Sequence, residues 1–104
     1  MRKGTTPTQI FTLPDTVDLT AARNIFVTYS DMKKKKILQK TGDQVEIDPE
    51  HPNVVSVDLS QEETLKMPKH YQVQINWTFG NGKRGETNIL HLKADETLED
   101  EVLP

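Results

Sequence analysis

The stretch Tyr71 to Phe79, YQVQINWTF, alternates apolar and polar residues without a break. Side chains along a β-strand point alternately to opposite faces, so Tyr71, Val73, Ile75, Trp77 and Phe79 share one face and the glutamines, Asn76 and Thr78 the other. A helix would scatter the same five residues around its axis. The stretch is therefore a strand with one buried and one wet face. Gly80-Asn81-Gly82 follows, and Asn-Gly suits a two-residue type I′ hairpin turn. That turn makes Lys83 face Gly80 and returns the chain as a strand from Lys83 to about Lys93. In this register Val73 meets Leu90 and Tyr71 meets Leu92, apolar against apolar. At the hairpin tip Trp77 meets Glu86 and Phe79 meets Arg84. A slip of one residue would oppose the inner row to Ile89, His91 and Lys93, which settles the register.

Turn residues recur at short intervals elsewhere: Pro14-Asp15, the lysines at 33–36, Thr41-Gly42-Asp43, Asp48-Pro49, Pro52-Asn53 and Pro68. Between them lie runs rich in β-branched and aromatic residues: Thr8 to Leu13, Asn24 to Ser30, Lys36 to Lys40, Gln44 to Asp48 and Asn53 to Leu59. Many short strands at this spacing form a sandwich or a barrel, here of about seven strands. One helical turn interrupts them. In SQEETLKM, Ser60 and Glu63 have capping-box spacing, Leu65 is the expected inward anchor, and Pro68 stops the turn. A turn so short needs docking to persist. The expected inner face comprises Phe11, Leu13, Ile25, Val27, Tyr29, Val55, Val57, Leu59, Tyr71, Val73, Ile75, Trp77, Leu90 and Leu92. The expected organisation is one all-β sandwich over residues 1–95 and an acidic tail over 96–104. Leu98, Val102 and Leu103 either dock that tail or leave it frayed.

The 104 residues suffice for one modest core and not for two. Apolar residues make up 34% of the chain, a low share, but they cluster in periodic runs rather than dispersing as in a disordered chain. The net charge of −3 offers no global attraction to nucleic acid or anionic lipid. With no cysteine, disulfide frameworks, thiolate metal sites and cysteine nucleophiles are excluded. No apolar run is long enough to span a bilayer, and MRKGTTPTQ lacks the apolar stretch of a secretory signal.

Four lysines in a row, Lys33, Lys34, Lys35 and Lys36, could neutralise phosphates. They also fit a solvated loop between two strands, whose charge discourages edge-to-edge aggregation. No nearby arginine or stacking aromatic accompanies them, so the loop is the favoured reading and nucleic acid a disfavoured partner. His51, His70 and His91 are too widely spaced for a zinc motif, and no nucleophile, dinucleotide or phosphate-loop motif occurs. The expectation is a non-enzyme without cofactor or metal. Trp77, Phe79, Arg84 and Glu86 form the candidate interaction surface, because Trp and Arg often dominate binding energy. Trp77 also fits the centre of the core. Unpaired sheet edges offer a second route to a partner, by strand addition.

The order KGTTPTQIFTLP, DLTAARNIFVTYSD, KTGDQVEID, VVSVDLSQEETLKM and QVQINWTFGNGKRGETNILHLKAD resembles small proteins encoded by phages, prophages and related mobile elements of Firmicutes. More distantly, it is similar to the immunoglobulin-like N-terminal domain of phage baseplate upper proteins. The resemblance implies an immunoglobulin-like sandwich and a structural or assembly role in a phage tail or baseplate, exercised through protein–protein contact. The partners would be other phage structural proteins or copies of itself as a homo-oligomer, with no membrane. The location would be the host cytoplasm during assembly, and the virion only if the protein stays in the finished particle. Two alternatives stand beside it. One is a carbohydrate-binding or host-surface adhesion module using Trp77 and Glu86. The other is a small mobile-element regulator acting through the lysine run.

Overall fold

A computed structural model describes all 104 residues. The chain is an all-β sandwich of two antiparallel sheets. Its strands are β1 Thr8–Thr12, β2 Asn24–Ser30, β3 Lys36–Thr41, β4 Val45–Asp48, β5 His51–Asp58, β6 His70–Thr78, β7 Arg84–Glu86 and β8 Leu90–Lys93. The first sheet has the order β1-β5-β4. The second has the order β3-β2-β6-β7, with β8 also pairing β6 beyond the end of β7. In immunoglobulin lettering, where the sheets are ABED and CFG with C′ added beside C, β1, β5 and β4 occupy B, E and D. Strands β3, β2, β6 and the β7–β8 pair occupy C′, C, F and G. No strand of this chain fills position A beside β1.

The central ladder joins β2 to β6 from Asn24↔Thr78 to Ser30↔Gln72, with Val27 opposite Ile75 and Tyr29 opposite Val73. These inner residues are 0% exposed. Each contributes about 1.5–3 kcal/mol by leaving water. The Tyr29 and Tyr71 rings stack with centroids 6.1 Å apart. Gln9 of β1 spans the two sheets: its Oε1 accepts from the Tyr29 hydroxyl at 2.6 Å, and its Nε2 donates to the Tyr71 oxygen at 2.9 Å. Burial pushes both phenols above their ordinary pKa, Tyr29 the further, so this link is neutral.

Eleven of the fourteen expected inner residues are buried; Ile25 and Leu92 are only partly so and Leu90 is exposed. Leu19, Met67 and Ala94, which lie outside the strands, complete the core. The helical turn, α1 Gln61–Leu65, has the expected capping box, with Ser60 accepting from the Glu63 amide and Glu63 from the Ser60 amide. Its anchor is not Leu65, which is half-buried. Thr64 and Met67 are buried instead. The Thr64 hydroxyl donates to the Thr5 carbonyl and accepts from the Gly4 amide, so this face of α1 holds the N-terminal segment. The tail is not docked by its apolar residues: Leu98, Val102 and Leu103 are exposed. Two hydrogen bonds hold it against α1: the Gln61 side-chain amide donates to the Leu103 carbonyl and accepts from the Leu103 amide.

Lys40 of β3 points inward and is 8% exposed. Its ammonium contacts both Glu63 oxygens, at 2.8 and 2.7 Å, which ties β3 to α1. Burial alone would raise the Glu63 pKa, but the Lys40 hydrogen bond and charge, with the Ser60 amide, hold it below the ordinary 4.5. A carboxyl with a lowered native pKa adds stability that is complete above its unfolded value and is lost as pH falls through the native one. Stability is therefore expected to decline as the pH drops below about 4.5. In Lys40→Met that decline should be shallower, as read from urea midpoints measured across acid pH. An unchanged acid slope would mean the pair contributes nothing to it.

Candidate functional site

The Gly80-Asn81-Gly82 loop differs from the expected type I′ turn, and the difference shapes the site. The Gly82 amide donates to the Phe79 carbonyl, and the Phe79 amide donates to the Lys83 carbonyl. Gly82 alone in this loop has a positive φ, +83°. This is a three-residue loop, a turn closed by one left-handed glycine, in which Asn81 accepts from the Lys83 amide. Phe79 therefore faces Lys83, Thr78 faces Arg84, and Trp77 faces Gly85. The expected pairs Trp77–Glu86 and Phe79–Arg84 do not form. Further along, the expected register does hold: Val73 meets Leu90 and Tyr71 meets Leu92. One extra residue on the return chain absorbs the difference. Thr87 still bonds to Ile75 through its amide and hydroxyl, and Asn88-Ile89 then bulge opposite Gln74 before β8 begins. The single expected return strand is thus two, which makes eight strands in place of about seven.

This register sorts the four expected interaction residues onto different faces. Trp77 is 7% exposed and belongs to the core. Its indole lies across Gly85, where a Cβ would come within 2.4 Å of the ring. Phe79 packs partly buried against the core. Arg84 and Glu86 point to the outer face, 3.5 Å from each other, where Glu86 also accepts from Gln74 and Asn76. The aromatics and the charges do not combine into one patch.

The lysine run is the loop of the β2–β3 hairpin. The Asp31 carboxylate accepts from the Lys33 and Lys35 amides, and Lys34 takes a positive φ of 67°. Lys33 to Lys36 are all exposed. His51 contacts the exposed Asp48 at 3.2 Å. His70 and His91 are exposed, and no three His, Asp or Glu residues gather where they could hold a metal. No helix is long and apolar enough to cross a membrane.

What the structure does bring together is a cleft of about 580 Å³ on one flank of the sandwich. The second sheet is wider than the first. On one flank β3 passes directly into β4 through a single turn at Gly42–Gln44, which closes that side. On the other, β7 and β8 overhang β1. The floor of the cleft is Phe11, Ile75 and Trp77, and its rim is Ile10, Val17 and Leu90. Ile10 is 64% and Leu90 37% exposed. Leu90 was expected inside; it overhangs because no strand of the opposing sheet lies under it.

The cleft is bounded along one side by a free strand edge. Leu13 donates to Asn53 and Leu59 to Pro7, so the odd-numbered residues of this segment bond to β5. The backbone groups of Thr8, Ile10 and Thr12 then point away, toward position A, with no strand to receive them. Neither β1 nor its flanks, Gly4 to Pro14, carries a charge. The other sheet edges do: Lys36 on β3, Glu46 and Asp48 on β4, Arg84 and Glu86 on β7, Lys93 on β8. Natural edge strands are usually guarded by such charges against unwanted pairing. No protein-family model matches the sequence, and no curated protein matches it.

Gly85→Ala should be poorly tolerated although Gly85 sits on a hairpin arm. The added methyl displaces the Trp77 ring, at a cost of about 1–3 kcal/mol for overpacking. A lower denaturation midpoint with red-shifted tryptophan emission is expected, and Trp77 is the only tryptophan present. Unchanged emission and stability would contradict the stacking.

Proposed function

We propose that this protein is a non-enzymatic contact module, of the kind that assembles phage or prophage particles, and that it works by taking another β-strand at the β1 edge. The observation that carries this reading is the unguarded, unpaired β1 edge beside an apolar cleft. Strand addition draws affinity from main-chain hydrogen bonds and specificity from pockets for alternate side chains. Thr8, Ile10 and Thr12 offer the backbone groups, and the cleft between β1 and β8 offers the pocket. The phage setting is supported by the resemblance of the motifs, and the mode of action by the edge. A sugar site built on Trp77 and Glu86 has less support: both line the cleft, but Trp77 is only 7% exposed and the Glu86 carboxylate is turned to the Gln74 and Asn76 amides of the outer face.

Site-specific photo-crosslinking in the producing cell tests the reading. A benzophenone side chain at Ile10 or at Leu90 should give discrete protein adducts, and one at Lys34, in the β2–β3 loop, should not. Absence of adducts at Ile10 and Leu90, or equal labelling at Lys34, would overturn it.

A further inference from the structure

Within the strand-addition reading, on which this inference rests, we propose that the occupant of the β1 edge is the β1 edge of a second copy, paired antiparallel about a two-fold axis at Ile10. In that register Ile10 faces its own counterpart and Thr8 faces the counterpart of Thr12. No other antiparallel register pairs all three outward-facing residues of β1. The strand Thr8-Gln9-Ile10-Phe11-Thr12 is close to symmetric about its centre, so threonine meets threonine and isoleucine meets isoleucine, both favourable cross-strand pairs. Contacts made identically by both partners are what two-fold symmetry demands. The result is one continuous sheet, running from β4 of one copy to β4 of the other.

Charge favours this partner and this face. Each copy carries a net −3, so two copies meet most readily where neither presents charge, and the strip from Gly4 to Pro14 is uncharged. On the β3 and β4 edges a symmetric self-contact would bring like charges near one another, through Lys36 or through Glu46 and Asp48, and on the β7 and β8 edges it would desolvate the charges of Arg84, Glu86 and Lys93. The antiparallel register also separates the acidic tails. The tail runs past Gly4 and α1, near the Thr8 end of β1, so the two tails fall at opposite ends of the dimer. The strand pair is narrow compared with the roughly 1,200–2,000 Å² that stable interfaces bury in total, even with Leu90 and Val17 of the cleft rims added. The dimer is accordingly of the weak, concentration-dependent class.

The chain lacks cysteine, which allows a register-specific test. Facing residues of a hydrogen-bonded antiparallel pair have Cα atoms about 5.5 Å apart, within disulfide range. Ile10→Cys should therefore form a disulfide-linked dimer under mild oxidation. Thr12→Cys should not, because counterparts of residue 12 would lie about 13 Å apart along the strands. Analytical ultracentrifugation of the wild type from about 10 μM to 1 mM should show a monomer–dimer equilibrium. Ile10→Lys should raise the dissociation constant at least about tenfold by placing two like charges on the axis. Its circular dichroism and melting temperature should be unchanged, since the Ile10 side chain is exposed. A wild type that remains monomeric throughout, or a dimer indifferent to Ile10→Lys, would overturn the proposal. So would Thr12→Cys crosslinking as readily as Ile10→Cys. A monomer whose Ile10 photo-crosslinks to a different protein would overturn the self-pairing alone and leave the strand-addition reading standing.

Discussion

The antiparallel ladder between Asn24–Ser30 and His70–Thr78 is the contact on which the rest of the sandwich is built. It joins two segments more than forty residues apart, so it closes a long loop and carries a matching entropic cost. The inner row along it, Val27, Tyr29, Tyr71, Val73 and Ile75, offsets that cost by burial. The first sheet is positioned against this row by Phe11, Val55, Val57 and Leu59, and by the Gln9 amide seated between the two phenols. A polar residue at that point fixes the lateral placement of β1, because only one alignment satisfies both tyrosines.

The cleft is a consequence of unequal sheet widths. The direct passage from β3 into β4 aligns the two sheets on one flank, so the extra width of the second sheet appears entirely on the other. There the overhanging strand is broken by a bulge, and the facing edge is charge-free. A bare edge next to an unfilled apolar groove is an unstable surface in isolation, since unpaired backbone and exposed isoleucine invite association. That the other edges carry lysines, arginines and acids makes β1 the exception. The lysine run belongs to this protective pattern. Its backbone is organised by Asp31, and its charges ring the end of the β2–β3 hairpin.

The strands and the capping box were legible because their signals are local. Alternation in YQVQINWTF, and Ser60 with Glu63, each involve neighbours within a few residues. The hairpin tip departs from the type I′ expectation by one residue. Asn-Gly is compatible with a type I′ turn and also with a three-residue loop closed by Gly82, and local propensity separates the two poorly. Gly85 held the deciding signal: only a residue without a side chain leaves room for the Trp77 indole, and that room is needed only if the two face each other. The candidate surface at Trp77, Phe79, Arg84 and Glu86 dissolved for the same reason, since a one-residue shift moves side chains to the opposite face. Lys40 gave no sign of burial because its partner, Glu63, lies on a different element.

The sequence by itself determined that the chain is an all-β sandwich of short strands, which residues fill most of its core, and where its one helical turn begins. Period-two patterning, turn residues and capping spacing are written along the chain, and each acts over a few residues. Only the tertiary structure decided which strands lie at the edges, that β1 lacks a neighbour, that Leu90 overhangs a groove and that Trp77 rests on Gly85. Those features are set by how two sheets of different width stack. That depends on contacts between segments far apart in sequence, to which no local pattern is sensitive.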